Sequence, residues 1–332
     1  MQVIVAGAGA LGSVLGGYLA EAGADVTLLA RPAHAHAILA DGLSIEGIRG
    51  TRRIRSIRAV TDPTELGRAD LLIVAAKSYD TGEILARCRH LRGRIGGTLS
   101  VQNGGGKDDA LGEVFGPEAV IGATCIVGGA LAGPGRAVHT FDGATWIGEL
   151  DGKPSPRVDR IADLFRKADL PVEVRPDIQS ATWCKLNQMV PAAALSCLTR
   201  LPLHQIYLDR GLATLFVELS REMAPIAARV HIPLGDYQGF PVKTLCAQPF
   251  EAAVDSVQAR GRTMQERGMT NVKISTLQDL ERGRRTEADH TIGYAVRLAQ
   301  QFGVPVPKLA TLFEVIQGIE RASTNALSPT PA

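Results

Sequence analysis

Met1-Gln2-Val3-Ile4-Val5-Ala6-Gly7-Ala8-Gly9-Ala10-Leu11-Gly12 is the stretch that decides the fold. Residues 3–6 are apolar and mostly β-branched, and read as a short buried strand. The stretch has no basic n-region, so it reads as a folded strand and not as a signal peptide. Gly7-Ala8-Gly9-Ala10-Leu11-Gly12 forms a Gly-x-Gly-x-x-Gly loop. Residues 10–22 then take helical spacing, and a second strand follows at 25–30. Strand, glycine loop, helix and strand in this order are a dinucleotide fingerprint. Gly7 permits the tight turn, Gly9 lets backbone approach a pyrophosphate, and Gly12 lets the helix pack closely. Ala8, Ala10 and Leu11 add backbone N–H groups at the positive end of the helix. The competing reading is a β–α turn without a ligand, and the flanking strands weigh against it.

The end of the second strand distinguishes two cofactors. An Asp or Glu there binds a ribose 2′-hydroxyl, and here the residues are Ala30-Arg31. A guanidinium suits a 2′-phosphate, so NADPH is the expected cofactor. Arg31 as a solvated strand-end side chain is the alternative. Arg49, Arg52, Arg53, Arg55 and Arg58 follow, and read as the solvated face of a hairpin formed by 43–46 and 54–60.

Working outward, apolar strands are expected at 71–76, 98–101, 120–127, 137–141 and 145–148, with helical segments between them. Residues 71–76 are apolar throughout, as when helices cover both sheet faces. This alternation implies βαβ units, hence an α/β, doubly wound parallel sheet of the Rossmann kind. From about Ile178 the pattern turns helical, with helices expected at 179–199, 209–230, 252–267, 286–302 and 309–320. Pro191, Pro225 and Pro233 are expected to interrupt or end some of these. The domains are drawn as 1–172 for the cofactor sheet and 173–327 for a helical substrate or dimerisation domain, with a loose tail at 328–332.

Composition sets outer limits. A chain of 332 residues fits two domains. With 36 Lys plus Arg against 34 Asp plus Glu, the net charge of +2 gives no reason to expect a nucleic-acid partner. No apolar run is long enough for a membrane helix. Five scattered cysteines without a Cys-x-x-Cys pair read as reduced thiols of a cytoplasmic protein. No metal is expected: the histidines lack ligand spacing, and His34 and His36 are placed on an exposed helix.

Ligands of open parallel sheets sit at the carboxyl ends of strands. The strand at 71–76 ends in Lys77-Ser78-Tyr79. The one at 98–101 ends in Gln102-Asn103-Gly104-Gly105-Gly106. Three glycines after an amide are costly unless something needs close approach to the backbone. In the helical half, Trp183-Cys184-Lys185-Leu186 puts a lysine on an apolar stretch. It is either a snorkelling or a buried functional residue, and the pattern alone does not choose. Thr286 can cap a helix, with Glu287 in its first turn, where a carboxylate is favourable anyway.

Taken in order, these elements resemble the ketopantoate reductase (2-dehydropantoate 2-reductase) family over nearly the whole chain. They are Gly7 to Gly12, Arg31, Lys77, Gln102-Asn103-Gly104, Gly133-Pro134-Gly135 with His139-Thr140, Trp183-Cys184-Lys185-Leu186, Ser275 with Leu277-Gln278-Asp279, and Thr286-Glu287 with Asp289. The resemblance implies a Rossmann domain, a helical domain and an active site in the cleft between them. It implies NADPH-dependent reduction of a 2-oxo acid to the 2-hydroxy acid, as in pantothenate biosynthesis. Lys185 would be the proton donor. Glu287 would contact substrate or cofactor and help to position that lysine. Asn103 would sit between cofactor and substrate, Ser275 would bind the substrate carboxylate, and Arg31 and Lys77 would bind NADPH. A hydride arriving at a carbonyl carbon leaves charge on oxygen, so an acid within reach is required.

The chain departs from the family where substrate would lie. Asparagines usually stand four and eight residues after the lysine, and another five after the glutamate; here these are Met189, Ala193 and Ile292. Gln188, three residues on, is the one polar side chain placed to substitute. The expectation is a 2-oxo acid reductase acting on ketopantoate or a more apolar analogue. Two other readings stay open: the same chemistry on an imine or in the oxidative direction, and an NADPH-binding sensor without turnover. The long C-terminal helices are compatible with a homodimer.

Overall fold

The first strand owes its place to alternation. In β1 (Gln2–Ala6), Val3 and Val5 enter one hydrophobic cluster while Ile4 and Ala6 enter another, so the strand is covered on both faces. Helix α1 (Ala10–Glu21) follows the glycine loop, and β2 (Asp25–Leu29) returns in parallel, Gln2 opposite Asp25. Then come α2 (Pro32–Asp41), β3 (Leu43–Gly47), β4 (Arg52–Ile54), β5 (Arg58–Val60), β6 (Leu71–Val74), α3 (Thr81–Cys88), β7 (Thr98–Ser100) and α4 (Lys107–Phe115). This computed structural model describes residues 1–325. The expected tail at 328–332 lies outside them.

One five-stranded sheet has the order β5-β2-β1-β6-β7, every pair parallel. The chain winds outward from β1 through β2 to β5, then resumes at β6 on the other side. The strand order therefore reverses between β1 and β6, the place where such sheets bind ligands. Every residue of β6 is buried. The remaining strands are β8 (Gly122–Cys125), β9 (Gly128–Gly133), β10 (Arg136–Phe141), β11 (Thr145–Gly148) and β12 (Val172–Val174), with α5 (Pro156–Lys167) before the last. They form two smaller sheets, β4-β3-β10-β9 and β12-β11-β8. These parts form one compact unit, Met1–Gln102 with Gly106–Gln179.

The expected hairpin of 43–46 with 54–60 is only half right. β3 pairs antiparallel with β4, but β5 leaves and joins β2 in parallel. Ala59 and Val60 decide this, because beside β2 they are buried. β9 was not expected as a strand, since Gly-Gly-Ala-Leu-Ala-Gly has weak β-propensity; its partner β10 supplies the ladder. His34, expected on an exposed helix, is buried at 7% exposure. Its Nδ1 accepts from the Gly135 N–H at 3.0 Å, which leaves Nε2 to carry the hydrogen toward Ser13 Oγ at 2.9 Å. His36 is exposed.

The second unit joins Asn103–Gly105 to the described chain from Ser180 onward. It consists of α6 (Ile178–Thr199), α7 (Leu203–Leu208), α8 (Arg210–Arg229), α9 (Val242–Ala247), α10 (Phe250–Glu266), α11 (Ser275–Glu281), α12 (Ala288–Gln301) and α13 (Pro307–Asn325), with a small hairpin before α9. Pro191 and Pro225 do not break their helices; α6 and α8 run through them. Both helices pack into the core, and that burial outweighs the roughly 3 kcal/mol such a proline costs in isolation. The helix expected at 209–230 starts at Arg210, because the Asp209 carboxylate caps it by accepting from the Leu212 N–H at 2.8 Å. The short helices α7, α9 and α11 are too brief to show a helical period in sequence. No described helix is long and apolar enough to cross a membrane. The five cysteines are free, and burial pushes the Cys197 thiol up to about 12.

Candidate active site

The glycine loop has the shape a pyrophosphate needs. Gly7 has φ of +97°, and a Cβ there would lie 2.5 Å from the nitrogen of Ala76, two residues beyond β6. Nothing lies within 4 Å of the position a Cβ would take on Gly9, so the loop is open on that side. The Gly7 and Ala8 N–H groups both reach the Leu29 carbonyl, at 3.2 and 2.9 Å, which ties the loop to the end of β2. Helix α1 starts at Ala10 behind Gly9, and no side chain caps its first turn. Backbone donors of Ala10, Leu11 and Gly12 thus stand at a helix N-terminus suited to an anion. Arg31 follows β2 at the N-cap of α2 with its side chain 86% exposed, and its Nη2 lies 3.3 Å from Asp80 Oδ2. Lys77 follows β6 and precedes a short turn over 78–80.

The end of β7 is held with unusual firmness. The Gln102 amide nitrogen donates to the Ala76 carbonyl at 2.9 Å and to Thr81 Oγ1 at 2.7 Å. Its Oε1 accepts from Ser100 Oγ at 2.9 Å. Its carbonyl accepts from Lys107 Nζ at 3.2 Å. The same ammonium donates to the carbonyls of Ser100 at 2.9 Å and Ala123 at 2.6 Å. Three N–H bonds with three acceptors are satisfied only by the protonated lysine. Burial pushes the Lys107 ammonium below the usual lysine range, with Asp108 and Cys125 opposing. Neither role was read from sequence, although a lysine in a helix first turn, against the dipole, is a signal that could have marked Lys107.

Gln102 is followed by the segment that groups with the helical unit. A Cβ on Gly104 would lie 2.5 Å from the His290 carbonyl oxygen, and one on Gly105 would lie 2.0 Å from the Tyr294 ring. The glycines thus let this turn press against the first turns of α12. Asn103, at its head, accepts from Lys185 Nζ through Oδ1 at 2.9 Å. Lys185 is 7% exposed. Helix α6 is buried nearly all round, so the stem has no surface along which to snorkel. Between the two readings left open by the sequence, Lys185 is the buried one.

Glu287 is buried at the N-cap of α12, where its carbonyl accepts from Thr291 Oγ1 at 2.9 Å. The helix starts one residue later than the sequence suggested, with Glu287 at the N-cap, and the Thr286 hydroxyl still accepts from the Ala288 N–H at 3.0 Å. Ser275 is half-buried at the start of α11. Ala193 and Ile292 lie in the helical core, while Met189 is only half-buried. Gln188 is engaged within the helical unit: Oε1 accepts from Arg260 Nη1 at 2.8 Å, and Nε2 lies 3.5 Å from Ser220 Oγ.

Residues 3–152 match the family described as ketopantoate reductase PanE/ApbA, and residues 177–320 match its C-terminal counterpart. The chain belongs to the ketopantoate reductase family. A 2-dehydropantoate 2-reductase of Pyrococcus abyssi is 32% identical over 322 residues, covering 96% of this chain and 98% of that protein. Its counterpart in Archaeoglobus fulgidus is 28% identical, again over 96% of this chain and 98% of the relative. Among solved structures, a PanE/ApbA family ketopantoate reductase from Ralstonia eutropha JMP134 is 30% identical with a TM-score of 0.81, covering 97% of this chain and 99% of that one. A ternary structure of D-mandelate dehydrogenase with NADH and anilino(oxo)acetate shares the fold, with a TM-score of 0.82 at 19% identity over 97% and 99% of the two chains. This ketopantoate reductase family member is therefore an oxidoreductase with an N-terminal Rossmann sheet and a helical C-terminal part.

Proposed function

We propose that this enzyme reduces a 2-oxo acid to the 2-hydroxy acid with NADPH in the cytoplasm, Lys185 giving the proton. The observation that carries the reading is the Lys185 ammonium, buried in an apolar helix and 2.9 Å from Asn103 Oδ1. A lysine is rarely buried without a task, and an acid within reach of a carbonyl oxygen is the task this chemistry sets. Asn103 orients the ammonium by accepting one of its hydrogens. Glu287 and Ser275 are the further polar groups assigned to substrate and cofactor, and Lys77 is assigned to NADPH. The bound nicotinamide would supply the hydride. Gly7 to Gly12 would hold its pyrophosphate, and Arg31 its 2′-phosphate.

Of the three positions where the family carries asparagine, Met189 is the half-buried one, and its thioether supports a substrate whose side chain is less polar than ketopantoate. Gln188 has its amide oxygen engaged by Arg260 at 2.8 Å, while Nε2 lies 3.5 Å from Ser220 Oγ. The test is NADPH oxidation with ketopantoate beside a panel of bulkier apolar 2-oxo acids. Turnover of an apolar 2-oxo acid above ketopantoate supports the reading, and absence of turnover across the panel overturns it. Two variants refine it. Arg31→Ala is expected to raise the KM for NADPH by about 10- to 100-fold while leaving NADH within about twofold, the scale of a charged hydrogen bond; equal effects on both would remove Arg31 from the phosphate. Met189→Asn is expected to improve ketopantoate kcat/KM by about tenfold, and an unchanged value would place residue 189 away from substrate.

A further inference from the structure

No carboxylate ends β2, but one stands on the segment that follows β6. β2 and β6 lie on either side of β1, so the segments leaving their carboxyl ends flank the glycine loop that leaves β1. Arg31 lies on one of these segments and Asp80 on the other, with 3.3 Å between Nη2 and Oδ2. Asp80 occupies the N-cap of α3, where an aspartate ordinarily accepts from its own helix, yet its side chain caps nothing there. Instead it turns to Arg31. That contact is exposed, so its own worth is small, and what it changes is the charge available to a ligand.

We propose that Asp80 is a specificity-determining residue of the cofactor site, and that it opens the site to NADH alongside NADPH. The inference rests on the cofactor reading above. A carboxylate beside Arg31 does two things at once. It neutralises part of the charge that would attract a 2′-phosphate and stands as a like charge near it. It also offers an acceptor to a ribose 2′-hydroxyl, as an acid at the end of β2 otherwise does. Arg31 and Asp80 are thus a divided reader, one member for each cofactor.

The test is a direct binding titration of the intact protein with NADPH and with NADH, read by nicotinamide fluorescence without substrate. The wild-type Kd values are expected to lie within about tenfold of each other, since a screened surface charge pair is worth only about 1 kcal/mol. Asp80→Asn keeps the size and the capping capacity of the side chain. It is expected to tighten NADPH by about five- to tenfold and to weaken NADH by a few-fold. Arg31→Ala/Asp80→Asn is expected to lose the NADPH gain. The proposal is overturned if Asp80→Asn moves neither Kd, or if the wild type excludes NADH by more than about a hundredfold. Failure to bind either cofactor overturns the cofactor reading and this proposal with it, a result distinct from selective NADPH binding that ignores Asp80.

Discussion

Lys185→Ala is expected to lower kcat by about a hundredfold or more, the scale of a lost general acid. The KM for NADPH should stay within about threefold, because the groups assigned to its pyrophosphate and 2′-phosphate do not include Lys185. The variant leaves Asn103 Oδ1 without its 2.9 Å partner, so a lesser fall is expected for Asn103→Ala, which keeps the acid and loses its orientation. Steady-state kinetics on the best 2-oxo acid of the panel decide the matter. A Lys185→Ala enzyme that retains wild-type kcat would falsify the proton-donor role while leaving the family assignment intact. Folding of the variant is checked by its melting temperature, since an alanine in this buried helix removes a buried ammonium as well as a stem.

Lys107→Met is expected to produce the largest loss of stability. Methionine fills much of the same volume but donates nothing to the carbonyls of Ser100, Gln102 and Ala123. Each stranded buried acceptor costs about 1–3 kcal/mol. The sum, about 3 kcal/mol or more, corresponds to a fall in Tm of roughly 5–10 °C for a unit of this size. Thermal unfolding followed by circular dichroism measures it, and a shift under about 2 °C would mean that the carbonyls find other donors. The enzyme that remains folded should also lose kcat, because Gln102, freed at its carbonyl, leads directly into Asn103.

The fold was legible because its signals are local and redundant. A glycine loop between two strands, an apolar run at β6 and helical periodicity after residue 178 all point to the same architecture. The misses share a cause as well. β9 is glycine and alanine, and only its ladder to β10 makes it a strand. Pro191 and Pro225 carry a strong breaker signal that burial overrides. β5 could pair with β4 or with β2 by its own pattern, and the choice depends on which neighbour buries Ala59 and Val60.

For the site, residue types carried more than spacing did. Lys185 and Asn103 are separated by 82 positions, and nothing in either local pattern announces their bond. The resemblance to a known family named them, and burial tells why the lysine does not simply snorkel. Lys107 and Asp80 look ordinary in sequence, a lysine after glycines and an aspartate before a helix. Their meaning lies in acceptors and partners that only the folded chain brings near. Gln188, a polar residue near the lysine in sequence, has its amide oxygen engaged by Arg260.

The three residues Asn103–Gly105 belong by their packing to the helical unit, though the chain on either side of them belongs to the sheet. A gene split at residue 179/180 would therefore not divide this enzyme at its joints. A helical half expressed alone, or exchanged between relatives by recombination, would inherit Lys185 but leave its acceptor behind. Shuffling of such halves can succeed only when the donor of the sheet brings a turn whose glycines fit the incoming α12, so the two halves are bound to change together.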